Sequence, residues 1–322
     1  MAALTRRALT GGLAALAVGP ARAADWPARA ITIMHGYPPG GPSDVVARLI
    51  ADGLGRALGQ SVIVEIRTGA SGTTAAAQIS RAAPDGYMLG VIPSGHPAAA
   101  ATFAKLPFRA VADFTMITLA STYSYVMSVP SATAVKSVAD LVALGRTRAT
   151  PLVYGTPGVG SGPHLAIELL ALQTKMKVQH VPFRGSAPAV TELIAGRLDF
   201  MMDPPASMME FIRDGRLRAL AVSSAARYFA LPDTPTLAEA GIPGFDVTGW
   251  QGVIGPAGIP EPIVSRLNSE ITRILKQPAT IEKLHAFGNE SAPGTPEEFK
   301  KRIESDIAKW TTVVEQIHFE KI

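Results

Sequence analysis

Short β-rich runs alternate with helical runs along most of this chain, and three of the junctions between them are packed with glycine, proline and hydroxyl residues. The stretches are "HGYPPGGPSDVVARL" (35–49), "VYGTPGVGSGPHLAIELL" (153–170) and "HVPFRGSAP" (180–188). A strand that turns at once into a helix is half of a βαβ unit, and parallel strands need such crossovers to pair. The alternation therefore predicts an α/β fold with mixed, mostly parallel sheets flanked by helices.

The first part of the chain predicts strands at 30–34, 62–66 and 88–92. Between them lie helices at 43–58 and 73–83. In the first helix Val46, Leu49, Ile50, Leu54, Ala57 and Leu58 share a face, and Gly59 stands at the C-cap. The middle predicts strands at 152–154, 178–182, 198–202 and 217–222, with helices near 164–173, 187–195 and 206–214. The last third offers one strand, 247–254, then helices at 263–275 and 296–316. Thr295-Pro296-Glu297-Glu298 is a capping-box start for the last of these.

A chain that leaves one α/β unit, builds another and returns suggests two lobes joined by crossing strands. The expected division is 24–125 plus 226–322 for domain 1 and 126–225 for domain 2, with a ligand cleft between them.

Residues 1–23 read as a cleaved leader, with Arg6-Arg7, an apolar run from Gly11 to Val18, and Ala21-Arg22-Ala23 before the cut. Thr5 to Leu9 loosely resembles a twin-arginine signal, so export through either the Sec or the twin-arginine route is expected. No later run reaches the roughly 18 apolar residues of a membrane span. Without Arg6, Arg7 and Arg22 the charge is 27 basic against 26 acidic residues, about +1, instead of +4. That near-neutral balance gives no support to a basic partner surface, nucleic acid included. The absence of cysteine excludes disulfides, thiol nucleophiles and thiolate metal sites.

Each glycine-rich junction aims unpaired N–H groups and the positive end of a helix dipole beyond a strand's carboxyl end, where an anion is favoured. The alternative for the first junction is a plain turn, with Ser43 as N-cap and Asp44 offsetting the dipole. The second junction presents Thr156, Ser161 and His164. Its Gly158-Val159-Gly160 begins like a dinucleotide fingerprint, but the third glycine is displaced and no acidic ribose partner follows. At the third junction Gly185 and Ser186 lead into a helix, and Arg184 either faces a ligand or is exposed. Asp199 and Asp203 flank a strand as cleft carboxylates or strand-end caps. The Met201-Met202 and Met208-Met209 pairs read as core. The histidines show no metal-ligand spacing and no Gly-x-Ser-x-Gly elbow occurs. A hydrolase would have to pair Ser161 or Ser94 with His96 or His164.

Together these motifs resemble the periplasmic substrate-binding component of tripartite tricarboxylate transporters, the TctC or Bug family. The resemblance rests on "PPGGPSDVVARLIADGLGRALGQ", "PDGYMLG", "YGTPGVGSGPHLAIELL", "HVPFRGSAPAV", "GRLDFMM", "GRLRALAVSSAARYFALPDTPTLAEAG", "GWQGVIGPAGIP" and "GTPEEF", in that order. It implies a two-lobe Venus-flytrap fold of periplasmic-binding-protein type II character, a non-enzymatic role and no cofactor or metal. The implied ligand is a small carboxylate: a di- or tricarboxylate, an aromatic acid or an acidic amino acid. The implied partners are the membrane permease subunits of such a transporter, or alternatively a sensor kinase, with the protein itself a periplasmic monomer.

Carried over by position, the resemblance points to Tyr37, Gly40, Gly41, Pro42, Ser43 and Asp44 in the first loop. In the second it points to Thr156, Gly158, Ser161 and His164, with Gly185 and Ser186 beside them; Ser94 and Asp203 complete the candidate set. Gly36-Tyr37 stands where the family usually has Pro-Phe, and Thr156 and Arg184 where it often has Ser and Lys, which leaves the substrate open.

Overall fold

The computed structural model describes residues 26–322, so the expected leader lies outside the described residues. The chain runs β1 (Ile31–His35), α1 (Pro42–Leu58), β2 (Val62–Ile66), α2 (Thr73–Ser80), β3 (Met88–Pro93), α3 (Gly95–Thr102), β4 (Phe114–Ser124), β5 (Val126–Pro130), α4 (Val138–Thr147) and β6 (Leu152–Thr156). It continues α5 (Gly162–Thr174), β7 (Val178–Pro182), α6 (Ser186–Ile194), β8 (Phe200–Asp203), α7 (Pro205–Arg213), β9 (Leu217–Val222) and β10 (Thr248–Pro256). It closes with α8 (Glu261–Leu275), α9 (Pro278–Ala286), β11 (Glu290–Ser291) and α10 (Pro296–Gln316).

The strands form two sheets, ordered β11-β4-β10-β3-β1-β2 and β7-β6-β8-β5-β9. In the first, β1, β2, β3 and β4 point one way and β10 and β11 the other. In the second only β5 opposes β6, β7, β8 and β9. Apolar clusters cover both faces of each sheet. α1 and α8 pack Val46, Ile50, Leu54, Leu267 and Ile271 on one face of the first sheet, while Ala75, Ile79, Phe299 and Ile303 pack on the other. Around the second sheet, α5 contributes Leu165, Ile167 and Leu170 to one cluster, and α6 and α7 contribute Val190, Leu193 and Met208 to the other. No helix of the described residues is long and apolar enough to cross a membrane.

Three segments cross between the sheets. β4 passes into β5 through Tyr125, and the chain returns from β9 to β10. The two crossings are stitched together by serine hydroxyls: Ser223 N–H donates to Ser124 Oγ at 3.0 Å and Tyr125 N–H to Ser223 Oγ at 2.9 Å. The third is α10, which opens with the expected Thr295–Glu298 capping box. It buries Phe299 and Ile303 against the first sheet and Trp310, Val313 and Val314 in the second unit's core.

The segment between β3 and α4 carries strands that the sequence alone did not suggest. β4, eleven residues long, pairs along β10. Its run FTMITLASTYS is buried at eight of its eleven positions, three of them Thr118, Ser121 and Ser124, with Thr115 and Thr122 half-buried, so it shows no clean alternation. Residues 226–247, expected with domain 1, pack Leu237, Ile242, Phe245 and Val247 into the second unit's core.

Candidate functional site

The carboxyl ends of β1 and β3 in the first sheet, and of β6, β7 and β8 in the second, carry the turns into α1, α3, α5, α6 and α7. These ends meet at Tyr125. Its hydroxyl lies 3.2 Å from Ser94 Oγ, at the start of α3. A Cβ added to Gly162, the first residue of α5, would fall 2.3 Å from the same hydroxyl. Farther along, a Cβ on Gly160 would sit 2.7 Å from Thr102 Oγ1 of α3. The two sets of strand ends therefore face each other in close contact.

In the first loop the N-cap of α1 is Gly41, not Ser43, and it makes no side-chain cap; Pro42 follows in the first turn. Ser43 lies within the helix, buried, and donates to Gln251 Oε1 of β10 at 2.9 Å. Asp44 turns back into its own loop. Its carboxylate accepts from Gly40 N–H at 2.9 Å and contacts His35 Nε2 at 3.2 Å and the Arg48 guanidinium at 3.0 Å. Burial pushes the Asp44 pKa up, but Arg48, the Gly40 N–H and His35 together hold it below the ordinary carboxylate range. Asp44 therefore sets the shape of the loop, while the first-turn N–H groups of Ser43 and Asp44 have no intrahelical acceptor. Gly40 adopts φ +77, and a Cβ on Gly41 would meet only Pro38 O at 3.5 Å, so the backbone is open to close approach there.

Tyr37 packs against this loop's outer support, donating to Ser71 O at 2.8 Å. Burial, and then the neighbouring Tyr123, keep its hydroxyl protonated. Tyr123 in turn lies against Ser94 and Tyr125, and burial pushes its pKa to about 12.

The second loop is tied internally. Ser161 is the N-cap of α5 and accepts from His164 N–H at 3.4 Å, while Gly160 N–H donates to His164 Nδ1 at 3.0 Å. Thr156 Oγ1 contacts Gly158 O at 3.0 Å and His180 Nε2 at 2.6 Å. Gly185, at φ +109, donates its N–H to Pro157 O at 3.2 Å, joining the third loop to the second. Thr156, His164 and Gly185 thus hold the two loops together, and Ser186 opens α6 beside Asp203.

Asp203 ends β8, fully buried. Ser207 Oγ donates to its Oδ2 at 2.6 Å, and Oδ1 has no hydrogen-bond partner. Burial pushes its pKa up to about 6, against the lowering effect of Ser186 and Ser207. Asp199 is different: it takes the Arg148 guanidinium at 2.8 and 2.9 Å and Val153 N–H at 2.6 Å, a clamp at the opposite end of β8. Arg184 is exposed, and Met201, Met202 and Met208 are core.

The hydrolase pairing does not form. His96 Nε2 bonds Ala110 O at 2.9 Å and its ring stacks on Phe108, away from Ser94. His164 engages Ser161 through its backbone only. Among the described residues no group of three or more His, Asp or Glu could hold a metal ion. A groove of ≈ 570 Å³ between Phe114, Met116, Gly258 and Lys300 lies at the opposite end of β4 and contains none of the candidate residues.

Sequence reasoning named the loops but gave no role to Tyr123, Tyr125, Gln251 or Ser207. A buried glutamine inside the apolar run Trp250 to Ile254 and the Tyr-Ser-Tyr at 123–125 were the available signals.

The profile described as "Tripartite tricarboxylate transporter family receptor" matches residues 46–319. A protein encoded in the tcbD–tcbE intergenic region of Pseudomonas sp. (strain P51) is 35% identical over 313 residues, covering 96% of this chain and 93% of that protein. BugT of Bordetella pertussis is 32% identical, covering 95% of this chain and 94% of its own. Among solved structures, Rpa4515 of Rhodopseudomonas palustris with adipate superposes with TM-score 0.84 at 33% identity, covering 92% of this chain and 100% of the other. MatC of the same species with bound malate gives TM-score 0.80 at 33% identity, covering 90% and 100%. The periplasmic binding protein BugD gives 0.81 at 27%, covering 92% and 100%. With the sequence match and the fold in agreement, the chain belongs to the tripartite tricarboxylate transporter receptor family, whose members are periplasmic substrate-binding proteins and not enzymes.

Proposed function

We infer that this protein captures a small carboxylate in the cleft between two lobes, one built on each sheet, and delivers it to the membrane permease subunits of a tripartite tricarboxylate-type transporter. What supports this reading is that α5 starts against Tyr125, which meets Ser94 at the start of α3, and that the glycine-rich start of α1 is bonded through Ser43 to Gln251, the residue paired with Pro93 next to Ser94. α1 leaves the Ser43 and Asp44 N–H groups, and α5 the Gly162 N–H, without an intrahelical acceptor, and each start carries the partial positive charge of a helix N-terminus. One carboxylate held between them would draw the lobes together, and the closed arrangement is what a permease would recognise. Adipate in Rpa4515 and malate in MatC support the ligand class. In this reading Tyr37, Gly41, Ser43, Ser94, Ser161, Ser186 and Asp203 line or shape the pocket, while Asp44, Thr156, Gly158, His164 and Gly185 hold its loops.

The test is a thermal-shift screen of the leader-free protein against mono-, di- and tricarboxylates, aromatic acids and acidic amino acids. A ligand at about 100 times its Kd adds about 2.7 kcal/mol of stability. A hit confirmed by calorimetry establishes the class. A flat screen with folded protein, and no acid released on denaturation, refutes it.

A further inference from the structure

Asp203 combines three features that no structural role requires. It is fully buried, its Oδ1 has no hydrogen-bond partner, and it stands at the carboxyl end of β8, level with the starts of α5 and α6. Its other oxygen is held by Ser207 at 2.6 Å, which fixes the carboxylate's orientation. The Ser186 hydroxyl lies close enough to lower the Asp203 pKa but reaches no hydrogen-bond geometry with Oδ1, and the carboxylate's charge reaches the hydroxyls of Tyr123 and Tyr125, so it faces the cleft wall. No basic side chain contributes to its surroundings. A buried charged oxygen left unpaired is destabilising, and such groups persist where a partner arrives from outside the chain.

We propose that Asp203 Oδ1 is the acceptor for a hydrogen-bond donor on the ligand, so that the cleft selects hydroxy acids or amino acids over the corresponding unsubstituted acids. This rests on the carboxylate-binding reading above and names which carboxylates fit it. The anchoring carboxylate goes to the helix starts, and a hydroxyl or ammonium group on the same ligand meets Oδ1. A second carboxylate placed there instead would meet a like charge in a site from which water is largely excluded. A donor satisfies Oδ1 and adds a charge-assisted hydrogen bond. The third junction, where Ser186 opens α6 beside Asp203, thereby acquires a recognition role.

The experiment is titration calorimetry on matched acids: propionate with lactate and alanine, succinate with malate and aspartate, glutarate with 2-hydroxyglutarate and glutamate. In the pair or pairs that bind, the donor-bearing member should be favoured by about tenfold or more, the size expected for one hydrogen bond to a charged group. Asp203→Asn keeps the shape. With Oδ1 of the asparagine accepting from Ser207, a donor amide points where the free oxygen was; it repels an ammonium group and meets a hydroxyl only through that hydroxyl's lone pairs, so the preference for amino acids should be lost and that for hydroxy acids should fall. Asp203→Ala removes the acceptor and should bring the ratio close to one; it serves if the asparagine variant fails to fold. Equal affinities within every binding pair, or a ratio unchanged in both variants, overturn the proposal and leave the carboxylate reading standing. If none of the acids binds, the proposal falls too, and the broader screen decides whether the carboxylate reading falls with it.

Discussion

The imidazole rings of His164 and His180 stack with centroids 3.9 Å apart and planes 16° apart. The pair holds the second loop in shape: His164 Nδ1 accepts the Gly160 N–H, which requires that nitrogen to be unprotonated, and His180 Nε2 meets Thr156 Oγ1. Burial pushes His164 down to about 3, with His180 adding to the effect, and burial alone pushes His180 down to about 4. Between these values and the ordinary 6.5, the unfolded chain binds more protons than the folded one, so these groups make stability fall as pH drops. Glu168 and Asp203, raised by burial, act in the opposite direction. The difference between wild type and His180→Phe isolates the histidine contribution: the variant should lose less stability between pH 7 and pH 4.5 in urea titrations. Equal losses would place the pair's titration outside the folding equilibrium.

Gly41 and Gly162 stand at the starts of α1 and α5 but should respond differently to one added methyl group. At Gly41, φ −80 suits alanine and the nearest atom is 3.5 Å away, so Gly41→Ala should change stability by less than about 0.5 kcal/mol. Any fall in acid affinity then reports ligand approach to that backbone. At Gly162 the Cβ would stand 2.3 Å from Tyr125 Oη. Gly162→Ala should therefore displace that hydroxyl from Ser94 and cost about 1–3 kcal/mol by overpacking. Denaturant unfolding beside acid titration separates the two.

The βαβ regions were legible because their signals are local. The strands Val62–Ile66, Val178–Pro182 and Leu217–Val222 and the helix Pro296–Gln316 stand where periodicity and capping put them. β4 and β5 were not, because their Thr and Ser residues are buried by partners far away in sequence: Thr118 Oγ1 bonds Gly294 O and Ser124 Oγ receives Ser223 N–H. The glycine-rich loops were visible as a site, but the distribution of labour within them was not. Asp44 faces its own loop and Ser43 reaches Gln251, 208 positions away, a partner that no spacing rule could supply. The Ser94–Tyr125 meeting point depends on how the two sheets sit together, which is a property of the whole fold.

The Ser43–Gln251 bond joins α1 to the return strand β10 in a site excluded from water. Ser43→Ala leaves the glutamine carbonyl oxygen without its donor and should cost about 1–3 kcal/mol. Replacing both partners, as Ser43→Ala with Gln251→Leu, should recover part of that loss, because no polar atom is then stranded. A double-mutant cycle by urea denaturation reads the coupling. Strict additivity of the two single changes would mean that the bond does not contribute to stability.

Asp203 should reveal its cost to the fold through pH. Its pKa is raised from 3.8 to about 6 by burial, so the folded state binds its proton more tightly than the unfolded state does. The stability that the protonated group retains is lost as pH rises through that window, and above about pH 6 the ionised carboxylate destabilises the protein. The shift of about two pKa units corresponds to roughly 3 kcal/mol as an upper figure. Asp203→Asn should therefore be more stable than wild type at pH 7.5, by about 1–3 kcal/mol, and no more stable at pH 4. Urea midpoints at the two pH values measure this directly. A variant less stable at pH 7.5 would show that the carboxylate is satisfied within the fold. A stabilised variant that has also lost its discrimination among acids would show a residue kept for recognition at the expense of stability, the trade-off expected where a site holds a polar atom open for its ligand.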